Sequence, residues 1–202
     1  LGLLPGSQFG LDVETGEAME IARKIIKYSD LMEFHCVHFN VTSNSKNAET
    51  HKYYAGKALE FIRDLKDSVK ANIQHLDIGG GFGVPTTKNM SGLEYGLYRA
   101  FGYPPVPPLV EEYQPFPAAM KELNDFIIEK SRALQIPMPK IIIEPGRLLT
   151  SRAELLLAEV LSVKERKDGT KYCLTNAGRL SIAFPCCFEY HEIFLANRMQ
   201  AP

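Results

Sequence analysis

The chain has 202 residues, of which 45% are hydrophobic, and its formal net charge is -1. A chain of this size can bury a sizeable core, and its balanced charge gives no support to a role on nucleic acid or on a membrane surface. No apolar run is long enough to cross a bilayer and the first residues lack a signal-peptide pattern, so we expect a cytoplasmic protein.

The first third of the chain predicts a helix followed by a strand. Apolar residues at spacings of three and four indicate a helix over residues 13–28, and residues 34–41 are typical of a strand. The odd positions of that strand are its more apolar series. The even positions, which include His38 and Asn40, are therefore expected to face a cleft or the inside of a barrel.

A second helix and strand follow directly. The helix is expected to begin at a cap formed by Ser45 or Asn47 and to end near Val69, and residues 74–78 form the next predicted strand. Helices that alternate with strands at this spacing predict parallel strands joined by right-handed crossovers.

Glycines cluster where the strand at residues 74–78 ends. Residues 76–83 read Leu-Asp-Ile-Gly-Gly-Gly-Phe-Gly. Without Cβ atoms, successive amide N–H groups can converge on an anion, so Gly79, Gly80 and Gly81 are candidate phosphate ligands. The spacing lacks the last glycine of the dinucleotide fingerprint, and a simple tight turn explains the loop equally well.

The region 86–116 is predicted to be irregular, because it is rich in proline and aromatic residues. A connection of that length is usually functional or disordered, and its aromatics favour an ordered active-site or interface loop. A hydrophobic pad under its own helix is the alternative. A helix over 117–134 and a strand that ends at Glu144 follow, and Pro145, Gly146 and Arg147 come next.

The pattern changes near residue 150. Two strand-like segments flank Asp168 and Gly169, a hairpin signal, so an antiparallel β region is expected there. We therefore predict a βα domain over residues 1–150 and the beginning of a β domain over 151–202. Three βα repeats cannot close an eight-stranded barrel, which leaves a doubly wound open sheet or a piece of a larger enzyme.

Five motifs, in this order, resemble the pyridoxal-phosphate-dependent decarboxylases of the ornithine, arginine and diaminopimelate group, and most of all the diaminopimelate branch. They are Gln8-Phe9-Gly10, residues 38–43 (His-Phe-Asn-Val-Thr-Ser), residues 76–83, Glu144-Pro145-Gly146-Arg147, and residues 185–193. The resemblance implies an alanine-racemase-like (β/α)8 TIM barrel followed by an antiparallel β domain, of which this chain holds the second half of the barrel. It also implies homodimers with shared active sites and an amino-acid substrate.

The resemblance assigns roles to matching positions. Pyridoxal phosphate takes up the electrons left by departing carbon dioxide, and a carboxylate such as Glu144 keeps its ring nitrogen protonated. Arg147 would bind the phosphate or the substrate carboxylate. The amides of the glycine run and of Gly146, with the Ser43 hydroxyl, would bind the phosphate.

Several positions depart from the family pattern. Asn40 stands where a histidine normally stacks on the cofactor ring, and Thr42 stands where a glycine is usual. Phe184 and Phe188 replace an arginine and a tyrosine that hold the far end of diaminopimelate, which leaves a charged distal group without its partner. The expected substrate is therefore an amino acid other than diaminopimelate.

No residue of this chain matches the lysine that joins the cofactor covalently, so we expect that lysine upstream and no catalytic residue here; this segment alone should be inactive. An inactive homologue acting as a regulatory binding protein, or a racemase, remains an alternative. The four cysteines fit no zinc or disulfide framework, and His35 and His38 do not share a strand face, so no metal site is expected.

Overall fold

The computed structural model describes residues 10–103, 105–106, 109–153, 155–178, 181, 189–191 and 193–198. The chain divides into two units, one formed by Leu1–Gly83 with Tyr113–Leu148 and the other by Val84–Glu112 with Leu149–Pro202. Among the residues that the structure describes, no helix combines the length and apolar character needed to span a membrane. The domain boundary expected at residue 150 stays a prediction.

Helices and strands are mixed up to residue 150, and after it the described elements are strands. In chain order the elements are α1 (Glu17–Lys27), β1 (Cys36–His38), α2 (Glu49–Val69), β2 (His75–Asp77), β3 (Lys88–Asn89), α3 (Gly92–Phe101), a 3-10 turn (Val110–Glu112), α4 (Phe116–Ala133), β4 (Lys140–Ile142), α5 (Gly146–Thr150), β5 (Val160–Glu165), β6 (Lys171–Thr175) and β7 (Glu189–Tyr190).

The first unit contains a three-stranded parallel sheet in the order β1-β2-β4. The prediction of parallel strands is thus confirmed. The register places His38 beside Asp77 and Asp77 beside Ile142, so the three strands end at the same edge. Each strand is three residues long, shorter than predicted. Just after β2 the backbone leaves the extended region, since Gly79 has a φ of 64°.

The core lies between one face of this sheet and the helices. Leu76 of β2 is fully buried with Leu59 and Leu65 of α2 and Ile127 of α4. Each such side chain contributes about 1.5–3 kcal/mol through burial. Because side chains alternate across a strand, His38 of β1 and Asp77 of β2 point to the face opposite Leu76 and the core helices, in line with the even face expected for His38.

Helices α2 and α4 pack closely and are joined by two ion pairs. Gly56 lies in the middle of α2, where an added Cβ would make van der Waals contact with the Phe126 ring at 3.4 Å, so the two helices approach closely. Lys52 pairs with Glu122 at 2.6 Å, and Lys130 pairs with Glu60 at 2.7 Å. This packing fixes the start of α2, which lies under the glycine loop.

The prediction that residues 86–116 are irregular was wrong, because they include the ten-residue helix α3. Ser91 caps this helix: its Oγ accepts the N–H of Glu94, whose carboxylate accepts the N–H of Ser91. Lys88 also donates to that carboxylate and lowers the pKa of Glu94 to about 2. Gly102 ends the helix at a φ of 72°. This capping box was visible in the sequence.

The antiparallel region predicted after residue 150 is confirmed by the hairpin of β5 and β6. Its turn contains Gly169 at a φ of 82°, and Asp168 Oδ1 accepts the N–H of Thr170. Cys36 in β1 and Cys173 in β6 are free thiols.

Candidate functional site

The ends of β2 and β4 meet at one edge of the sheet, as the sequence predicted for parallel neighbours. The N–H of Ile78 donates to the carbonyl of Ile142 at 3.0 Å, and the N–H of Glu144 donates to the carbonyl of Gly79 at 2.8 Å. The glycine loop after β2 and the acid after β4 are therefore adjacent. The glycine loop and Glu144 both follow strands of one sheet, and the other face of that sheet packs against the helices of the core.

The glycines are required because other backbone segments lie against them. A Cβ at Gly79 would be 2.6 Å from the carbonyl oxygen of Phe39, and one at Gly80 would be 2.5 Å from that of Glu144. A Cβ at Gly81 would overlap the carbonyl oxygen of Thr42. Gly79 and Gly81 also have positive φ angles of 64° and 80°, which favour glycine.

Two of the four amides predicted for the phosphate already have partners within the site. The N–H of Gly79 donates to Asp77 Oδ1 at 2.9 Å, and that of Gly146 donates to the carbonyl of Glu144 at 2.9 Å. The N–H groups of Gly80 and Gly81 meet no acceptor among the described residues. Gly80 and Gly81 are therefore the better candidates for binding an anion, and all four contacts with phosphate remain predictions.

Ser43 and Arg147 are 104 positions apart in the chain and meet in the structure. Arg147 Nη2 donates to Ser43 Oγ at 2.6 Å. Ser43 follows β1, and Arg147 lies in the first turn of α5, just after the end of β4. The hydroxyl and the guanidinium predicted for the phosphate are thus brought together at the sheet edge. A guanidinium fork and a hydroxyl form a suitable donor set for a phosphate.

A histidine and two carboxylates form a cluster on the face of the sheet opposite the helices. His38 Nδ1 lies 3.3 Å from Asp77 Oδ2, and ligand atoms of His38, Asp77 and Glu144 all lie within 4.8 Å of one another. Register explains the pair of His38 and Asp77, which are neighbours on β1 and β2, and Glu144 follows two residues after Ile142, the neighbour of Asp77 on β4. Three such donors can hold a metal ion, yet Glu144 is also the acid predicted for a ring nitrogen. The expectation of no metal stays a prediction.

Asn40 lies beside the glycine loop on the exposed side. Its Cβ and Cα would be 3.1 Å and 3.2 Å from a Cβ built on Gly79. The residue that replaces the ring-stacking histidine of the resembling enzymes therefore borders the predicted cofactor site. Phe184 and Phe188, predicted to contact the substrate, lie outside the described residues.

Sequence reasoning missed two residues of this region. Asp77 was part of the glycine motif without a role, and it holds both His38 and the N–H of Gly79. Its position before the glycines was the available signal, because an aspartate at a strand end can bond the backbone two residues on. His51 in α2 donates to the carbonyl of Gly80 at 2.9 Å, and no local pattern pointed to that contact.

Comparison with known proteins identifies the family. Residues 4–151 match the family described as "Pyridoxal-dependent decarboxylase, pyridoxal binding domain". The chain belongs to this family. Its cofactor is pyridoxal phosphate, as the sequence predicted. The glycine loop and Glu144 both lie within the matched domain, and the donors found there suit an anionic cofactor.

Relatives of known activity include two kinds of decarboxylase. The chain is 29% identical over 195 residues to diaminopimelate decarboxylase of Methanocaldococcus jannaschii, an alignment that covers 94% of this chain and 38% of the relative. It is 28% identical over 159 residues to biosynthetic arginine decarboxylase of a Nostoc species, covering 79% of this chain and 21% of the relative. The chain thus spans about two fifths or less of these proteins.

Solved structures agree with the predicted fold. The crystal structure of the Methanocaldococcus jannaschii diaminopimelate decarboxylase in complex with L-lysine matches with a TM-score of 0.54 at 27% identity, covering 85% of this chain and 34% of that one. A structure from Aquifex aeolicus has the same TM-score at 22% identity and shows the fold alone. The chain therefore has the alanine-racemase-like decarboxylase fold and contains part of its barrel.

Proposed function

We propose that the full-length protein uses pyridoxal phosphate to decarboxylate an amino acid, and that the cofactor binds where β2 and β4 end. One observation carries this proposal: the backbone of Glu144 is hydrogen-bonded to Gly79. That bond brings an acid for the ring within reach of amides for the phosphate. An acid for the ring and amides for the phosphate are both expected in a single binding site for pyridoxal phosphate.

Glu144 is assigned to the ring nitrogen. The bound cofactor supplies an electron sink for the pair left by departing carbon dioxide, and it does so best with a protonated ring nitrogen. A carboxylate beside that nitrogen raises the pKa of the nitrogen, because the carboxylate stabilises the positive charge. Asp77 and His38 lie next to Glu144 and add two further polar groups on this face of the sheet.

Gly80, Gly81, Ser43 and Arg147 are assigned to the phosphate. The two amide N–H groups and the hydroxyl are neutral donors, and the guanidinium is a charged one. Arg147 already donates to Ser43, so a phosphate oxygen between them would replace or share that bond.

The substrate is proposed to be an amino acid other than diaminopimelate. The relatives that match are diaminopimelate and arginine decarboxylases, and one relative's structure holds L-lysine. In this chain Phe184 and Phe188 take the positions expected to hold a charged distal group. An apolar or conjugated side chain fits such residues better than an ammonium and carboxylate pair does.

A regulatory binding protein is the second candidate, and Asn40 is the observation that favours it. An amide beside Gly79 can lie over a ring but has neither an imidazole face nor a titrating proton. A protein of this kind would bind pyridoxal phosphate without releasing carbon dioxide. We further propose a cytoplasmic homodimer with shared active sites, as expected from composition and resemblance.

The experiment uses the purified full-length protein. A cofactor absorbance in the visible range that borohydride bleaches would establish covalent pyridoxal phosphate, and carbon dioxide release from a panel of amino acids would name the substrate. Bound cofactor without release from any amino acid would favour the regulatory protein. Failure to bind pyridoxal phosphate at all would contradict both candidates.

A further inference from the structure

His51 links helix α2 to the glycine loop. It lies in the first turn of α2, its side chain is 1% exposed, and its Nε2 lies 2.9 Å from the carbonyl oxygen of Gly80. A carbonyl oxygen can only accept a hydrogen bond, so Nε2 must carry the proton. The hydrogen bond therefore assigns the tautomer, and it spans 29 positions of the chain.

The direction of this bond determines where a neighbouring amide points. The carbonyl of Gly80 and the N–H of Gly81 belong to one planar trans peptide, in which they point in opposite directions. Because the carbonyl is held towards α2, the N–H of Gly81 points away from α2. In the same way, the bond from Glu144 to the carbonyl of Gly79 turns the N–H of Gly80 away from Glu144.

The imidazole has little freedom to move. Its ring stacks on Phe82 with centroids 4.4 Å apart and an interplanar angle of 2°, and Phe82 meets Phe116 edge to face at 5.2 Å. Burial lowers the pKa of His51, while the bond to Gly80 opposes that shift. The ring is thus held in one orientation by its surroundings, and burial disfavours its charged form.

A small cavity borders the His51 side chain. Its volume is about 20 Å³, and its lining includes His51, Ser45, Phe82 and Gln114. His51 Nδ1 is buried and has no partner among the described residues. A cavity of this size accommodates one water molecule. Such a water would donate to Nδ1 and so reinforce the tautomer that donates to Gly80.

We propose that His51 is a positioning residue for the cofactor phosphate, and that it acts through the Gly80 carbonyl to direct the N–H of Gly81 at the phosphate. This inference rests on the proposed function, because it requires the phosphate to bind at the glycine loop. His51 itself does not touch the cofactor. Its hydrogen bond to the Gly80 carbonyl connects the core to the glycine loop, a contact that the glycines alone do not make.

The test compares two His51 variants and one core variant of the full-length protein, with pyridoxal phosphate as the probe. His51→Phe keeps a ring against Phe82 and removes the donor, whereas His51→Gln can place an N–H near the position of Nε2. We expect His51→Phe to weaken pyridoxal phosphate binding about tenfold, as for one buried acceptor left without a partner, and His51→Gln to stay near the wild type. Ile127→Val, a core change away from the loop, should leave binding unchanged.

A second readout needs no cofactor. In the cofactor-free protein labelled with 15N-glycine, the Gly81 amide resonance should shift in His51→Phe and stay close to the wild type in His51→Gln. If His51→Phe does not fold, His51→Asn replaces it, because its shorter amide cannot reach the Gly80 carbonyl from the Nε2 side. Equal behaviour of the donor-keeping and donor-lacking variants in both readouts would overturn the inference.

The outcomes separate this inference from the proposed function. If the wild type binds pyridoxal phosphate and the loss of the donor changes neither affinity nor the Gly81 resonance, the role of His51 is refuted and the proposed function stands. If the wild type does not bind pyridoxal phosphate, the proposed function fails, and a role of His51 towards the phosphate fails with it.

Discussion

Substitution of single glycines by alanine tests the close backbone packing at the site. Gly80→Ala would place a Cβ 2.5 Å from the carbonyl oxygen of Glu144, where real contacts essentially never fall below 3.0 Å. The loop and the end of β4 must therefore separate by at least 0.5 Å. Gly146→Ala is the matched control, because a Cβ there has nothing within 4 Å and its φ is not positive.

The expected costs follow from these geometries. Overpacking of this kind costs about 1–3 kcal/mol, so Gly80→Ala should lower the free energy of unfolding by that amount. Gly81→Ala adds a left-handed backbone at a φ of 80° to its overlap with Thr42, and should lose roughly 2–5 kcal/mol in all. Gly102→Ala isolates the conformational cost, since it has a φ of 72° and open space, and should lose about 1–2 kcal/mol.

Equilibrium urea unfolding of the full-length variants, followed by circular dichroism, measures these differences. Gly146→Ala should be neutral or up to about 1 kcal/mol more stable, because alanine restricts the unfolded chain. The reasoning is refuted if Gly80→Ala and Gly146→Ala have the same unfolding free energy, since the glycine loop would then not lie against Glu144.

Three further predictions concern a helix cap, a pH dependence and the phosphate site. Ser91→Ala should speed amide exchange in α3 about fivefold, as for a lost cap of ~1 kcal/mol, and unchanged exchange would contradict the capping box. His51 has a pKa lowered by burial, so its contribution to stability is full above its unfolded pKa and is lost as pH falls towards the folded value. Urea unfolding should thus show a fall in stability as the pH drops below about 6.5, the ordinary pKa of histidine, and His51→Gln should lack this fall. Arg147→Lys should weaken pyridoxal phosphate binding about tenfold by losing the guanidinium fork, and equal affinity would remove Arg147 from the phosphate site.

The alternation of helices and strands made the sheet predictable. Apolar stripes placed α1, α2 and α4, and the requirement for crossovers made β1, β2 and β4 parallel. The odd and even faces of β1 were also predictable, because a strand's period of two assigns each side chain to one face. These are local or nearest-neighbour properties of the sequence.

The reason for the glycines could not be read from the sequence. We expected Gly79, Gly80 and Gly81 to be glycines so that a phosphate could approach. In the structure the space for each Cβ is taken by carbonyl oxygens of residues 39, 42 and 144. That packing joins three strand ends that are far apart in the chain, so no local pattern reports it.

Helix α3 could have been predicted from the sequence, whereas the contact of His51 with Gly80 could not. Helix α3 was predictable from Ser91, Glu94 and Gly102, whose spacing is that of a capped helix, and the aromatic and proline content of the region obscured it. The contact of His51 with Gly80 was not predictable, because a histidine in a helix does not indicate which loop it reaches. Hydrogen bonds between residues far apart in the chain can be identified only from a three-dimensional structure.

The ring nitrogen of bound pyridoxal phosphate offers the most direct measurement. Full-length protein loaded with cofactor labelled with 15N in the ring would be compared with Glu144→Gln and with Glu129→Gln, a change at an exposed glutamate of α4. We predict a protonated nitrogen at neutral pH in the wild type and in Glu129→Gln, and loss of that proton in Glu144→Gln. A nitrogen whose protonation is the same in all three proteins would contradict the assignment of Glu144 to the cofactor.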